Sequence, residues 1–279
     1  MSQSARLIDD QQARWASDLT RDPRWDAYLP TVTGNLFRDL HPDTRREFDS
    51  GDGSELRDSR TKPAKMRALA SSSALAVNFF DSWRLADKTR LASTLGLSAP
   101  ITELRFEYKT LKYPVRPRSP NLDLLLRLAN DDVVAIESKF SEPFRSDDGH
   151  GMLSARYFPP SRELWREVHQ ERAQRIVARL RPEWLHLDVP QLLKHLLGLG
   201  NDPATPSALL YLWYDTGMPD ADTHRTEIKQ FAESIAGDGV TFRALTYQSV
   251  FRSLTENESP VDGWFAYVEQ RYFARSAAA

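Results

Sequence analysis

The chain contains no cysteine, so it has no disulfide framework, thiol nucleophile, iron–sulfur cluster or cysteine-ligated zinc. It also lacks a dominant charge sign: 37 basic residues against 39 acidic ones leave a formal net charge of −2. A polybasic binder working through bulk charge is excluded, whereas a local basic groove is not. Long apolar runs are missing too. The longest stretch without a charge, residues 68–80, spans 13 positions, against the roughly 20 that a membrane-spanning helix needs. The first ten residues hold Arg6, Asp9 and Asp10 and no apolar core. That is not a secretory signal, and a soluble, cytoplasmic protein without a membrane partner is expected. No solenoid-period repeat, P-loop, glycine-rich dinucleotide motif, nucleophile elbow, HExxH motif, helix-turn-helix or zinc finger is found.

What is present is a chain of 279 residues with 41% hydrophobic content, enough for one large or two small cored domains. Of the 37 basic residues 29 are arginine, the side chain suited to bidentate phosphate contacts, although a coding bias produces the same excess. Residues 5–48 read as short helices broken at Asp22-Pro23 and His41-Pro42, with Trp15, Trp25, Tyr28, Leu36 and Phe37 as candidate buried positions. Residues 49–65 turn polar and form the candidate boundary. The expected division is a helical extension and loop over 1–60 and a main domain over 61–279. Helical spacing predicts helices over 63–83, 87–95, 161–180, 189–199 (capped by Asp188), 222–235 and 261–273. Period-two alternation predicts strands over 103–111, 207–214 and 240–246. The fold class is therefore α/β or α+β, with a central mixed sheet flanked by helices.

The most informative stretch is 121–140. Leu122, Leu124, Leu126 and Leu128 share one parity; after the turn at 129–132, Val134, Ile136, Ser138 and Phe140 resume it. A hairpin that keeps both apolar sets on one face must pair residues whose numbers sum to an even value. Any such register gathers Asp123, Glu137 and Lys139 on the other face, within cross-strand reach. Asp123 and Glu137, with the Ser138 carbonyl as a third oxygen, make the donor set a hard divalent cation such as Mg²⁺ or Mn²⁺ takes. Lys139 would then stand beside the attacking water and the scissile phosphate, and the chemistry it suits is metal-assisted phosphodiester hydrolysis. Glu-x-Lys occurs three times, at Glu107, Glu137 and Glu227, but only the middle copy has a strand aspartate on the same face of an adjoining strand. The bland alternative for these residues is a solvated hairpin face with a salt bridge.

These residues resemble the core of the PD-(D/E)XK nuclease superfamily, with Asp123, Glu137 and Lys139 matching its motif. Pro120 stands ahead of Asp123 with Asn121 and Leu122 between, not immediately before it. The run from Gly51 to Trp83 resembles the N-terminal region of uncharacterised bacterial proteins of restriction-endonuclease-like type. The resemblance covers roughly residues 50–215 and implies an α-β-β-β-α-β core, dependence on Mg²⁺ or Mn²⁺ and a nucleic-acid substrate, with DNA expected. It places Glu107 where an auxiliary acid is found, and Gln191 on a later helix whose glutamine projects toward the active site. Superfamily members that cut both strands often form homodimers. The alternative reading is a catalytically inactive nucleic-acid-binding or assembly protein that keeps the fold.

Taken from the residues alone, Glu107 is also readable as an outward surface pair with Lys109. His195, one turn after Gln191, reads as a surface or packed histidine rather than a general base. Arg116 and Arg118, in the basic segment before the hairpin, and Arg156, beyond the acidic turn at Asp147 and Asp148, are the candidates for phosphate-backbone contacts. Most of the arginines in 155–181 are read as a solvated face carrying Glu–Arg pairs.

Overall fold

The computed structural model describes residues 1–51, 55–110, 115, 119–145, 153–177, 184–201 and 207–274. Its centre is a five-stranded mixed sheet in the order β1 (Ile101–Lys109), β2 (Asn121–Leu128), β3 (Val133–Lys139), β4 (Ser207–Trp213), β5 (Thr241–Thr246). The first two pairings are antiparallel and the last two parallel. A short turn suffices for the antiparallel pair β2–β3, whereas each parallel pair needs a crossover. Helices supply those crossovers and cover the sheet, giving the α+β architecture expected.

The hairpin takes the even register, with Leu124 opposite Ile136 and Leu126 opposite Val134. In its turn Asp131 adopts a positive φ of 67°, a conformation that aspartate tolerates. β3 lies in the middle of the sheet, and Val133, Val134, Ala135, Ile136, Glu137 and Ser138 are all buried. A strand covered on both faces reads as a continuous apolar run, and Glu137 and Ser138 are the exceptions inside that run.

The helices are α1 (Gln3–Trp15), α2 (Pro42–Ser50), α3 (Ser72–Phe80), α4 (Thr89–Thr94), α5 (Leu164–Glu167), α6 (Glu171–Val177), α7 (Val189–Gly200), α8 (Pro219–Ile235), α9 (Tyr247–Arg252) and α10 (Trp264–Val268). As predicted, α7 begins at Asp188, whose carboxylate accepts the Gln191 amide at 2.9 Å, an N-cap satisfying an otherwise orphaned donor. Leu192, Leu193, Leu196 and Leu197 are its buried face.

Three predicted helices are corrected. The helix expected over 63–83 starts at Ser72, because the chain before it pairs with an earlier segment. Leu29 donates its amide to Arg67, Leu69 donates to Ala27, and the Asn35 amide donates to the carbonyls of Met66 and Ala68 at 2.7 Å. Arg67 is buried and bound to Asp22 and Asp58, which ties the same run down. The helix expected over 161–180 is broken between α5 and α6, where His169 has φ 55°. At the break the Gly239 amide donates to the His169 carbonyl, and a Cβ on Gly200 would come within 2.6 Å of the Val168 carbonyl. The C-terminal helix is α10 followed by a wider π-turn over Glu269–Phe273. Helix α9, capped by Thr246, had no counterpart in the predicted pattern.

The N-terminal segment packs against the far end of the chain. Gln12 exchanges hydrogen bonds with Arg271, whose buried guanidinium also donates to Asn35 and stacks 3.9 Å over Trp15. Ser4 bonds Asp220 at the start of α8. Of the positions read as buried near this end, Leu36 is buried and Trp15, Trp25, Tyr28 and Phe37 are half-buried. Among the described residues, no helix is long and apolar enough to cross a membrane.

Candidate active site

Pairing between β2 and β3 ends at Leu124 and Ile136, so the strands separate just before Asp123 and Glu137. The ladder bond that pairing would make is replaced by a side chain: Asp123 Oδ2 accepts the Ser138 amide at 2.7 Å. Ser138 turns its hydroxyl to the opposite face, 2.7 Å from the hydroxyl of buried Tyr247 at the start of α9. Backbone and side-chain bonds thus hold the segment on which Glu137 and Lys139 sit.

Helix α7 completes the arrangement. Gln191 and His195 are four apart and share one helix face. Lys139 Nζ donates to Glu137 Oε1 at 2.5 Å and to Gln191 Oε1 at 2.9 Å. His195 Nε2 lies 2.9 Å from Glu137 Oε2, in a bent approach rather than a linear hydrogen bond. Glu137 and His195 are each only 1% exposed.

The charges drive the titrations apart. Burial alone would push the Glu137 carboxyl up, but the Lys139 ammonium and the His195 imidazole outweigh it and hold the group at about 2. Burial raises Asp123 well above the ordinary carboxylate range, and repulsion from Glu137 adds to it. Lys139 is raised, because Glu137 and Asp123 outweigh the burial that opposes its charge. At neutral pH the cluster therefore holds one firmly ionised carboxylate, one ammonium and one carboxyl reluctant to ionise.

Asp123 opens into a cleft of about 730 Å³. The same cleft is lined by Glu55, Lys65, Ser73, Glu107 and Glu142, with Asp9, Arg21, Asp26 and Arg145 also on its wall. Glu107 lines the cleft rather than facing outward: its backbone adopts a φ of 48°, and its carboxylate accepts from Asn121 at 2.6 Å. Burial, with Glu55 nearby, pushes the Glu107 carboxyl up to about 7. Gly51 lies close enough that a Cβ there would stand 3.2 Å from Glu107 Oε2. Glu55 accepts from Lys65 at 3.0 Å and from Ser73 at 2.7 Å.

Among the described residues, no three histidine, aspartate or glutamate side chains converge on one point, so a closed cage of side chains is absent there. The set Asp123, Glu137 and the Ser138 carbonyl does fit Mg²⁺ or Mn²⁺, which bind through one or two carboxylates and keep several waters. A carboxyl whose ionisation is opposed by burial and by a neighbouring negative charge is a group whose ionised form a divalent cation would favour.

Asp123, Glu137, Lys139 and Gln191 come together as the sequence predicts, with Glu107 on the wall of the same cleft. Arg156 is exposed on a short turn with its guanidinium 5.2 Å over the Tyr157 ring, and it does not line the cleft. Arg116, Arg118, Asp147 and Asp148 lie outside the described residues. Sequence reading did not single out two residues that lie beside this cluster. Glu55 sat in the polar stretch read as a boundary loop, with no periodicity to single it out. His195 carried a usable signal, its i+4 relation to Gln191.

A family model described as "Restriction Endonuclease associating with ARP" matches residues 11–273. No curated protein and no solved structure matches the chain.

Proposed function

The chain belongs to that family of restriction endonucleases, and on this premise we propose that it is a divalent-metal-dependent nuclease hydrolysing DNA phosphodiesters at the Asp123–Glu137–Lys139 cluster. The observation that carries the reading is the Lys139 ammonium, fixed between Glu137 and Gln191 beside the two carboxylates at the open end of the hairpin. Members of the wider restriction-endonuclease-like superfamily use divalent metals and act on nucleic acid, and the oxygen donors here suit such a cation.

Asp123 and Glu137 would bind Mg²⁺ or Mn²⁺, assisted by the Ser138 carbonyl. When bound, the cation polarises the phosphate and lowers the pKa of the attacking water. Lys139 orients that water and offers positive charge where the phosphate develops negative charge. Gln191 holds Lys139 in place by accepting a hydrogen bond from its ammonium. Glu107, on the wall of the Asp123 cleft with its carboxyl raised to about 7, would serve as an auxiliary acid. Arg116, Arg118 and Arg156 would contact the phosphate backbone, which adds affinity without reading sequence. The association with ARP in the family's description makes such a partner the first to test for this chain.

The test is incubation of the purified protein with supercoiled and linear DNA and with single-stranded RNA, in Mg²⁺, Mn²⁺ or EDTA, beside Lys139→Ala. Metal-dependent DNA cleavage lost in the folded variant is the expected result. Undiminished cleavage by Lys139→Ala would overturn the mechanism. DNA binding indifferent to Mg²⁺, with no cleavage of any polymer, would favour a binding protein that keeps the fold.

A further inference from the structure

His195 stands on α7 among leucines, one turn after Gln191. Leu192, Leu196 and Leu199 around it are buried, and the imidazole itself is 1% exposed. A polar ring in such a place costs about 1–3 kcal/mol unless a partner compensates it. Neither ring nitrogen makes a hydrogen bond of standard geometry, and the polar group that Nε2 approaches is Glu137 Oε2 at 2.9 Å. The other oxygen of the same carboxylate receives Lys139 at 2.5 Å. One turn earlier on the helix, Gln191 receives the same ammonium.

We infer that His195 is a positioning residue for the proposed cation site: its Nε2–H fixes the rotation of the Glu137 carboxylate through Oε2, leaving Oε1 directed toward Lys139. The inference rests on the nuclease reading of Asp123 and Glu137 and adds a residue to it. Three features support a positioning role over plain packing. The contact is made by the ring edge to a carboxylate oxygen, while the surrounding leucines supply the apolar packing. The carboxylate oxygen 2.9 Å from Nε2 favours the tautomer with its proton there, the one able to donate to Glu137. Gln191 and His195 also act as a pair with fixed spacing, so α7 sets the positions of Glu137 and Lys139 together. Groups that orient a metal-ligating side chain typically contribute about 10–100-fold to metal affinity.

The experiment is Mn²⁺ titration of the full chain followed by electron paramagnetic resonance, for wild type, His195→Leu and His195→Gln, with thermal melting in EDTA alongside. Gln places an amide donor near the position of Nε2, whereas Leu has none. The expected result is a Mn²⁺ midpoint raised about tenfold in His195→Leu and largely restored in His195→Gln. A merely structural histidine would lower both melting temperatures and leave both midpoints at the wild-type value, which would overturn the inference. Should the Leu variant fail to fold, the imidazole ¹⁵N shifts of the wild type decide. A proton on Nε2 supports the role, and a neutral ring protonated only on Nδ1 removes the donor and overturns it. A wild type that binds no Mn²⁺ would overturn the cation reading of the whole site, an outcome distinct from a change confined to the variant.

Discussion

Asp123 accepts the backbone amide of Ser138 at 2.7 Å, one residue beyond the last paired position of the β2–β3 hairpin. The carboxyl thereby does two things: it closes the frayed end of the ladder and sets an ionisable group beside Glu137. The two roles are separable, because an asparagine in its place keeps an acceptor for Ser138 and cannot ionise.

Asp123→Asn should reduce metal-dependent cleavage by roughly 10²–10³-fold and raise the melting temperature in EDTA by about 2–4 °C. The second effect follows from linkage. The folded state keeps the Asp123 proton above the pH at which the unfolded chain releases it. It binds more protons in that window, so stability falls as pH rises from about 4 upward. The variant should lack that decline. A melting temperature lower than wild type at pH 7 would show that the Ser138 bond needs the charge.

Glu137 and Lys139 depend on each other. Lys139→Met leaves a carboxylate that is 1% exposed without its ammonium, and removing one partner of a buried pair costs about 3–5 kcal/mol. Urea unfolding should record a loss of that order, and the Glu137→Gln/Lys139→Met double variant should recover most of it. Both should be inactive. Additive losses in the double variant would mean that the 2.5 Å contact carries no coupling.

Glu107 supplies a pH dependence of its own. Burial and Glu55 push its carboxyl up to about 7, whereas in the unfolded chain it ionises near the usual value of about 4.3. Between those values the folded state binds the extra proton, so this residue contributes a stability that declines as pH rises toward 7 and is gone above it. Melting curves in EDTA from pH 4.5 to 8 should therefore flatten in Glu107→Gln relative to wild type. Identical slopes would place the titration elsewhere.

The hairpin and its three charged residues were legible because an apolar alternation fixes register, and register fixes which side chains share a face. Helix α7 was legible from Asp188, Pro190 and four buried leucines. What was not legible depends on contacts between distant segments. Backbone pairing of residues 27–29 with 67–69 overrides the helical period ahead of Ser72. The break at His169 comes from a single positive φ and the close approach of Gly200 and Gly239, neither of which leaves a periodic trace. Glu55 enters the cleft from a polar loop through Lys65 and Ser73, a meeting that composition does not foresee. His195 looks like any core histidine until Glu137 is placed opposite it.

Glu227 on α8 offers a test of stability away from the cleft. Its carboxylate is 4% exposed and accepts the amides of Leu185, His186 and Leu187 at 2.6, 2.9 and 2.8 Å. Those bonds anchor the chain that leads into α7, and so into Gln191 and His195. Burial would raise the group, but His224 and the three amides outweigh it and lower its pKa. A depressed folded pKa means that the contribution is fully present above about 4.3, the unfolded value, and disappears as pH falls through the folded one. Wild type should accordingly lose stability below about pH 4.5 with a component that Glu227→Gln lacks. At pH 7 the variant, keeping one acceptor oxygen, should be weaker by about 1.5–3 kcal/mol. Because the anchored segment feeds α7, Glu227→Gln should also raise amide exchange at 185–187 before it affects β3. Exchange rising first in the central strand would mean that Glu227 supports the sheet directly rather than the entry to the helix.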